Sequence, residues 1–349
     1  MNDRLGRILL GATALTFLGL SSPLPAQTPG DPGYHVIKRV RLGGEGGWDY
    51  LVADTVGRRL YVSHSSHVMV LDLDSLDVVG DIPNTAGVHG IAIASRLGRG
   101  FTSNGRDTTV TIFDLTTLAT LGSVKVTGAN PDAITFDSAS GRVFTFNGRG
   151  QNSTVIDAGT AKVVGTIELG GKPEFAVTDG QGNLYVNLED RSSLVAIDTR
   201  AMKVLHTWSL VPCESPSGLA IDLAHHRLFA GCDNKMMAIL NLETGHVIAT
   251  PAIGEGVDAN RFDPVHQLAF SSNGEGSLTI VREISPDSFA VVANVPTQRG
   301  ARTMELDARN GRLFLPTAEF GTPPAATPEQ PRPRAPMVPN SFTLLVVGR

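Results

Sequence analysis

The chain has 349 residues and a formal net charge of -5, with 41% hydrophobic and 18% charged residues. That hydrophobic content excludes wholesale disorder, because enough apolar surface is available to offset the entropy of ordering. The mild acidity argues against nucleic acid and anionic membrane as partners, since both recruit basic surfaces.

At the N-terminus, Arg4 and Arg7 precede an apolar run over 8–20, which small residues and prolines follow as far as Ala26. This order of basic, apolar and small residues reads as a secretory signal peptide cleaved near Ala26. The run falls short of the roughly 20 residues that cross a bilayer, so no membrane anchor is expected on the mature chain. The predicted location is therefore periplasmic or extracellular, with 27–33 as a short leader.

From residue 34 onward the chain repeats itself. Leu60-Tyr61-Val62-Ser63 returns as Gly100-Phe101-Thr102-Ser103, Val143-Phe144-Thr145-Phe146, Leu184-Tyr185-Val186-Asn187, Leu228-Phe229-Ala230-Gly231, Leu268-Ala269-Phe270-Ser271 and Leu313-Phe314-Leu315-Pro316. A series of Asp54, Asp137, Asp179, Asp222, Asp263 and Asp307 precedes these segments, with Ala94 in the second unit. Another, Asp72, Asp114, Asp157 and Asp198, with Asn241 and Glu283 as weaker copies, follows them at intervals of about 42 residues. Each unit reads as four short strands separated by Gly, Asn, Asp and Pro turns, and no segment carries a helical apolar period. The expectation is an all-β, seven-bladed β-propeller with four-stranded blades. The seventh unit lacks a strand, which residues 34–42 supply by pairing beside 342–347 and so closing the ring. Residues 318–338 are a Pro-rich insertion, expected as an extended or disordered loop on the rim.

These strands resemble the YVTN-type, YncE-like family of bacterial extracytoplasmic propellers, most clearly at Leu60-Tyr61-Val62-Ser63 with Val70-Leu71-Asp72, and at Leu184-Tyr185-Val186-Asn187 with Ala196-Ile197-Asp198. The resemblance covers nearly the whole mature chain and implies fold and compartment. Members are linked to single-stranded DNA binding and cell-surface roles, while more distant seven-bladed relatives include lyases and electron-transfer domains. No CxxCH motif is present, which removes the c-type cytochrome reading.

Five residues ahead of the first Asp series stand Asp49, His89, Asp132, Glu174, Ser217, Asp258 and Arg302, one per unit. In a propeller this position opens the innermost strand, so the seven converge on one mouth of the channel. Crowded carboxylates should raise at least one carboxyl pKa. Asp49, Asp132, Glu174 and Asp258 form a candidate site for Ca²⁺, Mg²⁺ or Mn²⁺, or for a cationic ligand. Turn capping is the competing reading of these same side chains. Trp48 offers an aromatic wall beside them, whereas Tyr50 reads better as blade-to-blade packing. Arg106 and Arg149, with Arg191 and Lys235, are candidates for a cationic outer ring. Arg261 and Glu305 share a repeat position in adjacent units and should pair in the channel. His64 and His67 are a weaker metal pair.

Cys213 and Cys232 fall at one mouth of one blade, and an oxidising compartment favours a disulfide between them. No GxSxG, P-loop, HExxH or CxxC motif occurs. The leading reading is a monomeric propeller that binds a small ligand, cation or partner at the mouth without catalysis. A metal-assisted hydrolase or lyase with His89 as general base is the enzymatic alternative. A protein-interaction scaffold using the rim and the Pro-rich loop is the third.

Overall fold

The computed structural model describes residues 30–325, 327, 333 and 335–349. The expected signal peptide and the first three residues of the leader lie outside the described residues. Those described form seven four-stranded antiparallel sheets arranged as the blades of a β-propeller. The innermost strands are Trp48–Asp54, Val88–Ala94, Pro131–Asp137, Pro173–Thr178, Pro216–Asp222, Val257–Asp263 and Glu305–Asp307. The ring closes as the repeat required: His35–Arg41 forms the outer strand of the last blade, running from His35 opposite Gly348 to Arg41 opposite Thr343.

The repeated residues explain why each unit becomes a blade. The aromatic of the second strand is buried in all seven, at Tyr61, Phe101, Phe144, Tyr185, Phe229, Phe270 and Phe314, and fills the seams between sheets. Both Asp series cap turns. Asp54 Oδ1 accepts the amides of Val56 and Gly57, and Asp179 Oδ1 those of Gln181, Gly182 and Asn183. Asp114 Oδ1 accepts Thr116 and Thr117 in the same way.

One irregularity is shared. In six blades the innermost strand shifts register against the second strand just after its first residue. In the first blade Trp48 opposes His64 and Leu51 opposes Val62, so Asp49 and Tyr50 face Ser63 alone. Such a bulge leaves an amide without its ladder partner and turns the side chain of its extra residue. The second strand supplies the missing acceptor: the Asp49 amide donates to Ser63 Oγ at 2.9 Å, and the Gly90 amide to Ser103 Oγ at 2.9 Å.

Among its described residues the Pro-rich insertion forms no strand. Its base is clamped by a bridge between Phe320 and Met337, with the Gly321 amide donating to the Pro336 carbonyl and the Val338 amide to the Glu319 carbonyl. Phe320 packs near Trp48, 6.2 Å between ring centroids, which fixes the loop's base on the mouth side of the seam between the last and first blades. Among the described residues, no helix is long and apolar enough to cross a membrane.

Candidate functional site

All seven ring positions, six of them carried by these bulges, reach the wall of one cavity of about 540 Å³ at a mouth of the channel. Its floor is Tyr50, 4% exposed, whose ring meets Phe175 at 4.9 Å. Beneath, the Arg261 guanidinium lies 4.8 Å from the Phe175 centroid and donates to both carboxylate oxygens of Glu305, at 3.1 and 3.0 Å. This aromatic and ionic plug separates the mouth from the channel below, and the Arg261–Glu305 pair is as the repeat alignment predicted.

Three cations serve the acidic wall. His89 Nδ1 is 2.5 Å from Asp49 Oδ2 and 3.5 Å from Asp132 Oδ1. Arg302 Nε lies 3.1 Å from Asp258 Oδ2, while Ser217 Oγ donates to Asp258 Oδ1 at 2.7 Å. Lys172 Nζ donates to Glu174 Oε1 at 2.7 Å and also to Glu189 Oε2. Six carboxyl groups, Asp49, Asp132, Glu174, Glu189, Asp233 and Asp258, thus line the cavity against His89, Lys172 and Arg302, leaving an excess of negative charge.

The carboxyl pKa values respond to that excess. Burial, followed by the neighbouring charge of Asp49, pushes Asp132 up to about 7. Burial and then Asp132 push Glu174 up to about 8. Burial also raises Asp258, against the pull of Arg302. Burial alone would lower His89, but the hydrogen bond to Asp49 and the charges of Asp132, Asp49 and Glu174 outweigh it and raise it to about 9. His89 therefore holds its proton at neutral pH and is a donor there. It becomes a base only when another cation takes over the carboxylates around it.

The structure does not bring every expected residue to the mouth. Trp48 turns away and packs on Phe342, 5.3 Å between centroids, because the residue before the bulge still follows the strand. Arg106 and Arg149 are exposed in their turns and do not line the cavity. Arg191 reaches only Asp190, at 3.8 Å, and Lys235 pairs with exposed Glu255 at 2.9 Å. None of the four side chains lines the cavity, so no cationic ring forms. His64 is buried against Phe342, 4.4 Å between centroids, and its pKa falls to about 4 through burial and then the neighbouring His67.

Three charged residues of the cavity were not singled out from the sequence: Lys172, Glu189 and Asp233. A signal for them existed. Two residues ahead of the ring position the blades carry Gly47, Gly87, Asn130, Lys172, Ser215, Gly256 and Gly300, and only one of these is charged. The first residue after the second strand points into the mouth, and Glu189 and Asp233 are its acidic members.

The two cysteines form the expected disulfide. It ties the loop entering the fifth blade to the end of that blade's second strand, beside Ser215 and Ser217 of the cavity wall.

The fold defines the class: a seven-bladed β-propeller. Kuenenia stuttgartiensis hydrazine synthase is structurally similar, with a TM-score of 0.68 at 15% identity over 81% of this chain and 95% of that one. The structure of U3-55K superposes with a TM-score of 0.72 at 10% identity, over 90% of this chain and 99% of that one. At such identities the likeness carries the fold alone. No family model matches the sequence, and no curated protein matches it.

Proposed function

We propose that the chain is an extracytoplasmic propeller of the YVTN/YncE-like kind that binds a cation at its channel mouth without catalysing a reaction. The observation that carries this reading is the convergence of six carboxyl groups on a cavity with three cationic side chains, which leaves Asp132 and Glu174 holding protons near neutral pH. A divalent cation would displace those protons. Asp49, His89 and Asp132 already offer one ligand atom each within 4.8 Å of one another. Oxygen-rich coordination with one imidazole suits Ca²⁺, Mg²⁺ or Mn²⁺. The disulfide and the strand resemblance support the extracytoplasmic location.

The test is metal content and thermal stability before and after chelation, for the native chain beside an Asp132→Asn/Glu174→Gln variant. Stoichiometric metal that stabilises the native chain and is lost in the variant is the expected result. A metal-free native chain that gains no stability from Ca²⁺, Mg²⁺ or Mn²⁺, beside a variant of equal or greater stability, overturns the reading. A metal-assisted hydrolase or lyase is the second reading, favoured by one observation: a protonated imidazole, His89, beside a water-accessible acidic cavity. Screens with the metal-loaded protein decide it.

A further inference from the structure

The opposite end of the fifth blade carries a second, unrelated cluster. Asp222 closes the innermost strand whose start faces the mouth, and His225 follows in the turn. His225 Nδ1 lies 2.9 Å from Asp222 Oδ2 and 3.0 Å from Oε1 of Glu283, which belongs to the sixth blade. Asp222 and Glu283 are 1% and 5% exposed.

Glu283 sits where the other blades place something else. Its amide donates to the Gln267 carbonyl, and the same bond is made by Leu73, Leu115, Ala158, Thr199 and Leu242 in the first five blades. Four of those are apolar. The fifth, Thr199, donates its hydroxyl to Asp137 Oδ2 at 2.7 Å, across the seam to the preceding blade. At the seam between the fifth and sixth blades a carboxylate replaces that hydroxyl donor, so Asp222 faces another acid. Both Glu283 oxygens, Asp222 Oδ2 and His225 Nδ1 make no hydrogen bond of acceptable geometry although they are buried. The Arg227 guanidinium, the nearby cation, is committed to the carbonyls of Pro286, His225 and His226 and to Asp287 Oδ1.

Buried carboxylates of this kind need neutralisation by a charge inside the seam. We infer that Asp222, His225 and Glu283 form a second divalent-cation site, at the seam between the fifth and sixth blades. One imidazole and two carboxylates, with ligand atoms within 4.8 Å of one another, match Zn²⁺, whose ligand bonds of about 2.0 to 2.2 Å require close convergence. Ca²⁺ fits poorly, because two carboxylates and an imidazole fall short of the six to eight oxygens it takes.

The two sites are separated by variants. In an Asp49→Asn/Asp132→Asn background, which removes the ligand cluster at the mouth, titration calorimetry with Zn²⁺ should still find one equivalent bound. Adding Glu283→Leu, the residue type three other blades carry here, should abolish that equivalent while circular dichroism shows the fold intact. Adding His225→Ala instead should weaken binding at least ten-fold. The inference is overturned if the mouth variant binds no Zn²⁺, or if either added substitution leaves its affinity unchanged. Neither result bears on the mouth, where the native chain and its Asp132→Asn/Glu174→Gln variant decide independently.

Discussion

His89 and Asp49 occupy the same repeat position in adjacent blades, and the imidazole Nδ1 meets the carboxylate Oδ2 at 2.5 Å across the seam. Because the same nitrogen lies 3.5 Å from Asp132 of the third blade, one protonated ring holds three blades together at the mouth. The mouth is thereby an electrostatic clasp as well as a cavity, and its protonation state and its stability are linked.

That linkage sets a pH profile. An unfolded histidine titrates near 6.5 and His89 at about 9, so its stabilisation is full below pH 6.5 and is lost as pH rises through 9. Asp132 and Glu174, raised from 3.8 and 4.5 to about 7 and about 8, act with the same sign: folding favours their protonated forms, and that contribution disappears as pH climbs through those values. Carboxyls held low by turn amides, such as Asp72 and Asp114, titrate below this window and do not oppose it. Calorimetry without added metal should therefore give a melting temperature at pH 5.5 higher than at pH 9 by about 5 °C. Asp132→Asn/Glu174→Gln should flatten the profile and raise the high-pH value. A profile unchanged by that variant would place the responsible protons elsewhere.

The pairing itself is testable by a double-mutant cycle. His89→Gln leaves Asp49 and Asp132 facing each other without a cation, and at pH 7 should cost about 2 kcal/mol, discounted for the partial exposure of the imidazole. Asp49→Asn in the His89→Gln background should recover most of that loss, for a coupling of about 1 to 2 kcal/mol in urea unfolding. Additive losses would mean that the two side chains do not interact in solution.

Architecture was legible because blades are specified locally. Each repeats a buried aromatic such as Tyr61, turn-capping acids such as Asp54 and Asp72, and an alternating strand, and the missing strand of the last unit announced the closure at His35–Arg41. The ring of Asp49, His89, Asp132, Glu174, Ser217, Asp258 and Arg302 was legible for the same reason, since equal repeat position means equal place around the axis. What failed was direction. Trp48 is one residue from Asp49, but the bulge falls between them and sends the indole to Phe342. Arg106 and Arg149 lie in the right turns but at the second residue after the strand, where they are exposed, while Glu189 and Asp233, at the first, face in. The cluster around Glu283 stayed hidden because its members come from two units and because Glu283 read as a weak copy of the turn-capping acids, whereas the strand register puts Arg282 at that place and Glu283 one residue on, where Leu73 and Leu242 stand.

Below the mouth, Arg261 and Glu305 are about 14% and 15% exposed at their side chains and pair through two hydrogen bonds. Glu305→Ala strands a guanidinium in the channel and should cost about 3 kcal/mol, as breaking one partner of a buried pair does. Replacing both, Arg261→Met with Glu305→Leu, should cost much less, because residues of similar volume restore packing against Phe175 without desolvating a charge. Chemical denaturation of the three proteins checks this ordering. Equal losses in the single and double variants would show that the pair contributes by shape alone.

The disulfide bears on both stability and the mouth. Cys213 and Cys232 close a loop with a sequence separation of 19, which by the loop-closure argument stabilises the fold by about 3 kcal/mol. The tied loop also places Ser215 and Ser217, and Ser217 Oγ donates to Asp258 Oδ1 at 2.7 Å. Cys213→Ser/Cys232→Ser should therefore lower the unfolding free energy and loosen one flank of the cavity, weakening cation binding at the mouth more than Zn²⁺ binding at Glu283. Calorimetric titration of each site in the serine variant tests this. A loss of stability with both affinities intact would confine the disulfide to the fold.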